Sequence, residues 1–458
     1  MSAGRKLPGA ALIVAAGAAL LSAAPLIGAA AANQSAPTLK DLPKRSVEIR
    51  PQAADPQSQP KAMENYRRFL DLQQTDPELR AEAMRRLGDL SLESGELERI
   101  ENEVGREDLA GAEAIRLYSL LLQAYPDYPR NDQVMYQLAR AYETTGQPER
   151  ALETLDTIVQ RYPDARGIDE VQFRRGELLF SARNYRDAEA AYAQVTQRGS
   201  GEFYQQSLYK QGWALFKQSL YDESLQAFAR LLDLKLLDAN APSGFKPLDT
   251  LPRADRELVD DTLRVGSVIF SDLDGVEPLN RFVDSLRRPA WSPLLYSRLG
   301  DLYVEKQRYQ DAADAYRAFV AREPNHEMAP NLAMQAIEAY GKGGFAQLVL
   351  EGKQDYVERY NYGAAFWNGR DRAQYPQIAS ELKTNLTDLA AYYHANAQKS
   401  NSAEDYAQAA HWYRLQLASF PDDADAAQVN YRLADALFEA GQFADAVNEY
   451  ERSAYAYP

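Results

Sequence analysis

Few residues of this sequence have the types and spacing that catalysis or metal binding requires. The three histidines, His326, His394 and His411, lie far apart, and none is part of a His-x-x-x-His or His-Glu-x-x-His motif. Since such paired imidazoles are the usual way in which one helix holds zinc, a zinc site is not expected. The chain has no cysteine, which excludes disulfides, thiolate ligands and a cysteine nucleophile.

Two glycine-containing segments resemble ion-binding loops only superficially. Residues 341–344, Gly-Lys-Gly-Gly, lack the earlier glycine and the Ser or Thr of a phosphate loop. Residues 272–275, Asp-Leu-Asp-Gly, lack the spacing and the terminal Glu of a calcium loop. We interpret both as turns between helices. Gly-x-Ser-x-Gly is absent, and no acidic pair stands out as general acid and base. The sequence therefore predicts no enzyme, no cofactor and no metal.

Residues 360–370 form the best local candidate for a binding site, because large groups are concentrated there beside Gly and Asn. Aromatic side chains and arginine are enriched at binding hot spots. We therefore expect a partner-binding role for Tyr360, Tyr362, Phe366, Trp367 and Arg370. The alternative is that these side chains fill the joint between two groups of helices.

A pattern of small and large residues recurs about every 36 to 37 residues along the chain. A small residue is followed twelve positions later by Ala or Ser, and sixteen positions later by a large apolar or aromatic residue. The small residues allow two short helices to approach closely, and we expect the large residue to fill the space toward the next pair. Glycine and proline mark the ends of the two helices. The small residues are Ala139, Gly176, Gly212, Gly300 and Ala434.

These positions resemble the tetratricopeptide repeat, a helix-turn-helix unit of about 34 residues. The best copies begin near residues 132, 169, 205, 293 and 427, and poorer ones cover 61–126, 330–360 and 376–421. The resemblance implies an all-α fold, an α-solenoid or superhelix of tandem helix-turn-helix repeats. Each unit buries its apolar face only against its neighbours, so stacking provides the stability.

The predicted domain order follows from this pattern. Residues 61–232 form an N-terminal repeat array, and residues 293–458 form a C-terminal array. Residues 233–292 are an insertion or degenerate helix pair with a long loop, because Pro and Gly are frequent at 242–252 and signature positions are missing. Within it we expect helices over 253–271 and 276–286. Residues 33–60 contain five prolines and should form a Pro-rich, flexible tether.

Residues 1–32 have the features of a secretory signal peptide. Arg5 and Lys6 precede an apolar run, and Ala30 to Ala32 offer a small-residue cleavage site. The alternative is an uncleaved inner-membrane anchor, since residues 7–32 are long enough to span a bilayer. Either way, we expect the repeats in the periplasm. The absence of cysteine excludes a lipoprotein anchor.

Charge and repeat type together predict the kind of partner. The formal net charge is −15, and loss of the signal would lower it to −17. This argues against nucleic acid or an anionic membrane, both of which attract clustered positive charge. The resemblance implies a non-enzymatic scaffold for envelope proteins or peptides, which bind first-helix side chains facing a groove. By helical phase these include Tyr136, Arg140, Arg174, Lys210 and Arg298; the alternative is a solvated polar face.

Other functions stay open at this point. The last repeat stops at Pro458 without a polar capping helix, which solenoids usually need. A second hypothesis is therefore that the chain is the helical accessory region of a larger envelope enzyme or polysaccharide-export protein. Self-association through the terminal repeat is a third.

Overall fold

The computed structural model describes residues 58–73, 75–101, 109–241 and 243–457, and side chains throughout these ranges except at 97–101. The predicted signal peptide (1–32), and the tether as far as residue 57, lie outside the described residues. The described residues contain nineteen α-helices and no β-strand. The expected all-α fold is thus confirmed.

Helices α2 to α19 form nine consecutive pairs, and α1 precedes them. In each pair the even-numbered helix is the first and the odd-numbered helix the second. Most helices pack mainly on their sequence neighbours, as expected for a solenoid; α10 instead packs mainly on α12. The helices are α1 (Ser58–Leu72), α2 (Pro77–Glu101), α3 (Leu109–Ala124), α4 (Asn131–Thr144), α5 (Pro148–Arg161), α6 (Ile168–Ser181), α7 (Tyr185–Thr196), α8 (Tyr204–Lys217), α9 (Tyr221–Leu236), α10 (Arg253–Asp272), α11 (Val276–Ser285), α12 (Pro293–Glu305), α13 (Tyr309–Arg322), α14 (Ala329–Lys342), α15 (Ala346–Tyr360), α16 (Pro376–Ser400), α17 (Ala403–Ser419), α18 (Ala426–Glu439) and α19 (Phe443–Tyr455).

The helix ends follow local sequence signals. Gly146 and Gly441, at the turn inside a pair, have φ of 73° and 74°, a conformation that favours glycine. The second helices α5, α13 and α17 each end two residues before a proline. Proline lacks the N–H that would continue the helix, so these ends are encoded locally.

In four of the nine pairs, a ring of the second helix lies directly on a glycine of the first. A Cβ added at Gly176 would lie 2.4 Å from Cε1 of Tyr192, and one at Gly300 would lie 2.3 Å from Cε1 of Tyr316. The same holds for Gly88 with Tyr118 and Gly212 with Phe228. We call this the ring–glycine contact. The large residue thus packs on its own pair, and it also belongs to buried clusters that reach the next pair, as Tyr192 does with Ala214.

A hydrogen bond extends this contact wherever the ring is a tyrosine. Tyr316 donates to Oδ1 of Asp301 at 2.8 Å, and Asp301 directly follows Gly300. Burial raises the pKa of Tyr316 well above its usual range, so the hydroxyl stays protonated and remains a donor. Equivalent bonds join Tyr118 to Asp89 (2.8 Å) and Tyr192 to Glu177 (2.5 Å). Tyr450 bonds Asp435 (2.6 Å) in the same way, although the preceding residue there is Ala434 instead of glycine.

In the α14–α15 pair the large residue lies on the first helix and the small residue on the second, the reverse of the four pairs with a ring–glycine contact. Ile337 lies seven residues before the left-handed turn residue Gly344, the offset at which five other pairs carry Gly or Ala. Opposite it stands Gly352, where an added Cβ would lie 2.9 Å from Cγ1 of Ile337. The close approach is kept although the residue types are swapped. This explains why the sequence pattern identifies this repeat poorly.

The interruption after α9 is packed into the core. Residues 237–241 and 243–252 contain no α-helix, and one bridge joins Leu237 to Phe245. Phe245 is buried. Trp291, before α12, is also buried and donates to Oδ1 of Asp233 at 2.7 Å. One continuous apolar core therefore runs from α9 to α19, while three smaller clusters serve α2 to α8.

None of the described helices has the length and apolar character needed to cross a membrane.

Replacing Gly300 by alanine tests the ring–glycine contact. The new Cβ would overlap the Tyr316 ring, so we expect the free energy of unfolding of α12–α13 to fall by roughly 1–3 kcal/mol. Native-state hydrogen exchange of this pair measures the loss. The matched control is Gly341→Ala near the end of α14, where an added Cβ meets nothing within 4 Å. Equal effects of the two variants would contradict the proposed contact.

Candidate interaction surface

The basic residues predicted for the groove join neighbouring first helices through ion pairs. In each of these ion pairs the cation is on the later first helix in the chain and the carboxylate is on the earlier one. All four therefore lie in the layer formed by the first helices, and we call the surface of this layer from α2 to α12 the first-helix face. The pairs are Arg140 with Glu96 (2.5 Å), Arg174 with Glu143 (3.5 Å), Lys210 with Glu177 (2.7 Å) and Arg298 with Asp260 (3.0 Å).

Tyr136, the fifth predicted residue of the groove, belongs to the same network. Its half-buried hydroxyl contacts the carboxylate of Glu170 and accepts a hydrogen bond from Nε of Arg174 at 2.5 Å. Burial raises the pKa of Tyr136 above its usual range. A cavity of about 190 Å³, also bordered by Gln133 and Asp89, opens beside it between α2, α4 and α6. The surface here is polar, preformed and recessed.

The aromatic segment that follows α15 is placed differently from the expectation. Tyr360 and Phe366 have no exposed surface, and Trp367 is 7% exposed. The Trp367 indole donates to the carbonyl of Tyr360 at 2.9 Å, and its ring meets Phe366 edge-on at 5.1 Å between centroids. Side chains buried in this way offer no surface to a partner. The structure thus corrects the binding role expected for these three residues.

The remaining two residues of that segment connect neighbouring repeats. Arg370 donates to the carbonyl of Asn325, in the α13–α14 connector, at 2.6 Å. Its guanidinium lies 4.3 Å from the centroid of Phe366. Tyr362 is half-buried and packs 5.4 Å from Phe420, in the α17–α18 connector. The segment thus ties together three successive connectors, in accord with the alternative expectation that it fills a joint.

A cluster of half-buried rings on α8 was missed by the sequence reasoning. Tyr209 and Trp213 both donate to Oδ2 of Asp261 on α10, at 2.6 and 3.2 Å. Burial, with this hydrogen bond, raises the pKa of Tyr209 to about 12. Phe216 meets Trp213 edge-on at 5.6 Å. We call Tyr209, Trp213 and Phe216 the aromatic platform; their i, i+4, i+7 spacing on a first helix is the signal that could have revealed it.

Arg264 and Lys217 border the platform, and Lys210 lies between it and α6. Arg264 of α10 lies 5.9 Å from the ring of Trp213 and also pairs with Asp261. Lys210 lies 5.7 Å from the ring of Phe180 on α6. The rings and charges of α6, α8 and α10 therefore form one continuous part of the first-helix face. Across the described ranges, no three His, Asp or Glu side chains are arranged to hold a metal ion.

Comparison with known families identifies the repeats. Models of the tetratricopeptide repeat match residues 110–168, 173–243, 297–341 and 428–458. A search of curated proteins finds no significant match.

Solved structures similar to this chain include other repeat proteins. One is the C-terminal part of a TPR repeat-containing protein from Cytophaga hutchinsonii, 13% identical, covering 75% of this chain and 98% of that one, with a TM-score of 0.28. Another is a tetratricopeptide repeat protein from Parabacteroides merdae, 14% identical, covering 65% and 98%, with a TM-score of 0.29.

Truncating Trp367 tests whether the aromatic segment is structural. We expect Trp367→Ala to lower the free energy of unfolding by about 3–5 kcal/mol, because it removes a large buried side chain. Chemical denaturation followed by circular dichroism measures the change. Tyr455→Ala, at a residue 87% exposed, serves as the control and should change stability by less than about 0.5 kcal/mol. A stable Trp367→Ala protein would refute the structural role.

Proposed function

Because this chain is a tetratricopeptide repeat protein, we propose that it is a non-enzymatic scaffold that binds envelope proteins or peptides along its first-helix face. The ion pairs between first helices carry this proposal. They hold cations and carboxylates in a regular order on a surface that stays partly exposed. Exposed ion pairs contribute only about 0–1 kcal/mol each, so exchanging one for a contact with a partner costs little.

The periplasm is the proposed location. Support comes from the basic start, apolar run and small-residue site of residues 1–32. The acidic balance of the rest of the chain favours protein partners over nucleic acid. Anchoring in the inner membrane by residues 7–32, with the repeats in the periplasm, is the alternative.

Self-association is a second candidate, favoured by one observation. The terminal pair α18–α19 exposes several large apolar side chains, and such patches often mark interaction sites. Exposed fractions are 52% for Tyr431, 50% for Phe438, 58% for Phe443, 55% for Val447 and 87% for Tyr455.

Site-specific photocrosslinking tests the binding face. A photoreactive amino acid at Gln133 or Gln206, equivalent exposed positions on the first helices α4 and α8, should crosslink a protein partner in cells. The same group at Glu153 or Arg230, exposed positions on the second helices α5 and α9, is the matched control. Crosslinks from the second helices alone would overturn the proposal. Crosslinks between two copies of the chain would favour self-association.

The mature N-terminus tests the location. If the signal is cleaved, the protein from the periplasmic fraction should begin at Asn33, as mass spectrometry of the intact chain would show. Recovery of residues 1–32 in a membrane-bound protein would favour the anchor. Recovery from the cytoplasm would contradict both.

A further inference from the structure

We propose that the aromatic platform on α8 binds an acidic segment of a partner protein. An apolar side chain of that segment packs on Trp213 and Phe216. The carboxylate of a neighbouring Asp or Glu in the same segment pairs with Lys217. This inference rests on the proposed function, since it names the kind of segment that part of the first-helix face recognises.

The platform is held in place before a partner arrives. Tyr209 and Trp213 are both fixed by hydrogen bonds to Asp261, which Arg264 also contacts. Their polar atoms are thus satisfied within the chain, which leaves the apolar parts of the half-buried rings for contact. Preorganised side chains lose little conformational entropy on binding. Tryptophan and tyrosine dominate binding hot spots for this reason and for their large contact area.

Lys217 supplies the charge that a partner would neutralise. Its Nζ lies 5.5 Å from the ring of Trp213 and 5.8 Å from the ring of Phe216, and the residue is exposed. Among the described residues it forms no ion pair with a carboxylate, whereas Arg140, Arg174, Lys210 and Arg298 each pair with at least one. An exposed ammonium beside aromatic rings, without a carboxylate of its own, is complementary to Asp or Glu next to an apolar residue.

The array contains a matched position without the rings. Lys342 stands five residues after Ile337 on α14, as Lys217 stands five residues after Gly212 on α8. It is likewise exposed at the end of a first helix. The positions that correspond to Tyr209, Trp213 and Phe216 are Met334, Glu338 and Gly341. Lys342 therefore carries the same charge at the same register without a platform.

Selection from a random dodecapeptide display library on the full chain tests the proposal. Enriched peptides should carry Asp or Glu beside a large apolar residue. The affinity of the best peptide, measured by fluorescence anisotropy, should fall about tenfold, or about 1.4 kcal/mol, with Lys217→Glu. Trp213→Ala, after a circular dichroism check of folding, should lower it too, and so should Asn or Gln in place of the peptide's carboxylates. Lys342→Glu should have no effect.

The outcomes separate this inference from the proposed function. No enrichment, enriched peptides without carboxylates, or equal losses with Lys217→Glu and Lys342→Glu would each overturn the acidic-segment proposal. If first-helix crosslinks were still found, the scaffold function would stand. If no crosslinks to a partner formed from the first helices, the scaffold function itself would be overturned. A peptide with Lys or Arg that bound the Lys217→Glu variant better than the unchanged chain would confirm that residue 217 contacts a charged residue of the peptide.

Discussion

The ring–glycine contact is the constraint on which the rest of this structure depends. Glycine inside a helix costs roughly 1 kcal/mol relative to alanine. The first helices nevertheless carry it at Gly88, Gly176, Gly212 and Gly300, because any Cβ there would overlap the ring above it. A buried ring offsets that cost by removing its apolar surface from water. The distance between the two helices of a pair is thereby set, and the stacking of pairs follows from it.

The ring–glycine contact also fixes the position of a carboxylate on the first-helix face. Glu177 directly follows Gly176 and accepts the hydroxyl of Tyr192 through one oxygen and the ammonium of Lys210 through the other. One carboxylate thus links packing within a pair to the ion pair with the next first helix. In the α8–α9 pair the ring is Phe228 of α9, which has no hydroxyl, and Trp213 of α8 stands at the position equivalent to Glu177. The break in the hydrogen-bond pattern and the aromatic platform therefore occur at the same repeat.

Sequence reasoning identified structure best where the chain is periodic. The recurring small residues were enough for the fold. Helical phase placed Arg140, Arg174, Lys210 and Arg298 on the first helices, where each pairs with a neighbouring first helix. In residues 360–370 there is no period, so composition alone suggested a binding site, whereas Tyr360, Phe366 and Trp367 are buried. Aromatic residues are enriched both in cores and at hot spots, and residue type does not separate the two.

The sequence by itself determined the helix-turn-helix units, their ends and their order, because glycine, proline and helical periodicity act over a few residues. Only the tertiary structure decided which aromatic rings are buried and which basic residues form ion pairs with a carboxylate. It revealed the exchange of Ile337 and Gly352, the burial of Trp367 and the fixing of Trp213 by Asp261, 48 residues away. These outcomes depend on distances between helices, and such distances arise only when neighbouring pairs are stacked.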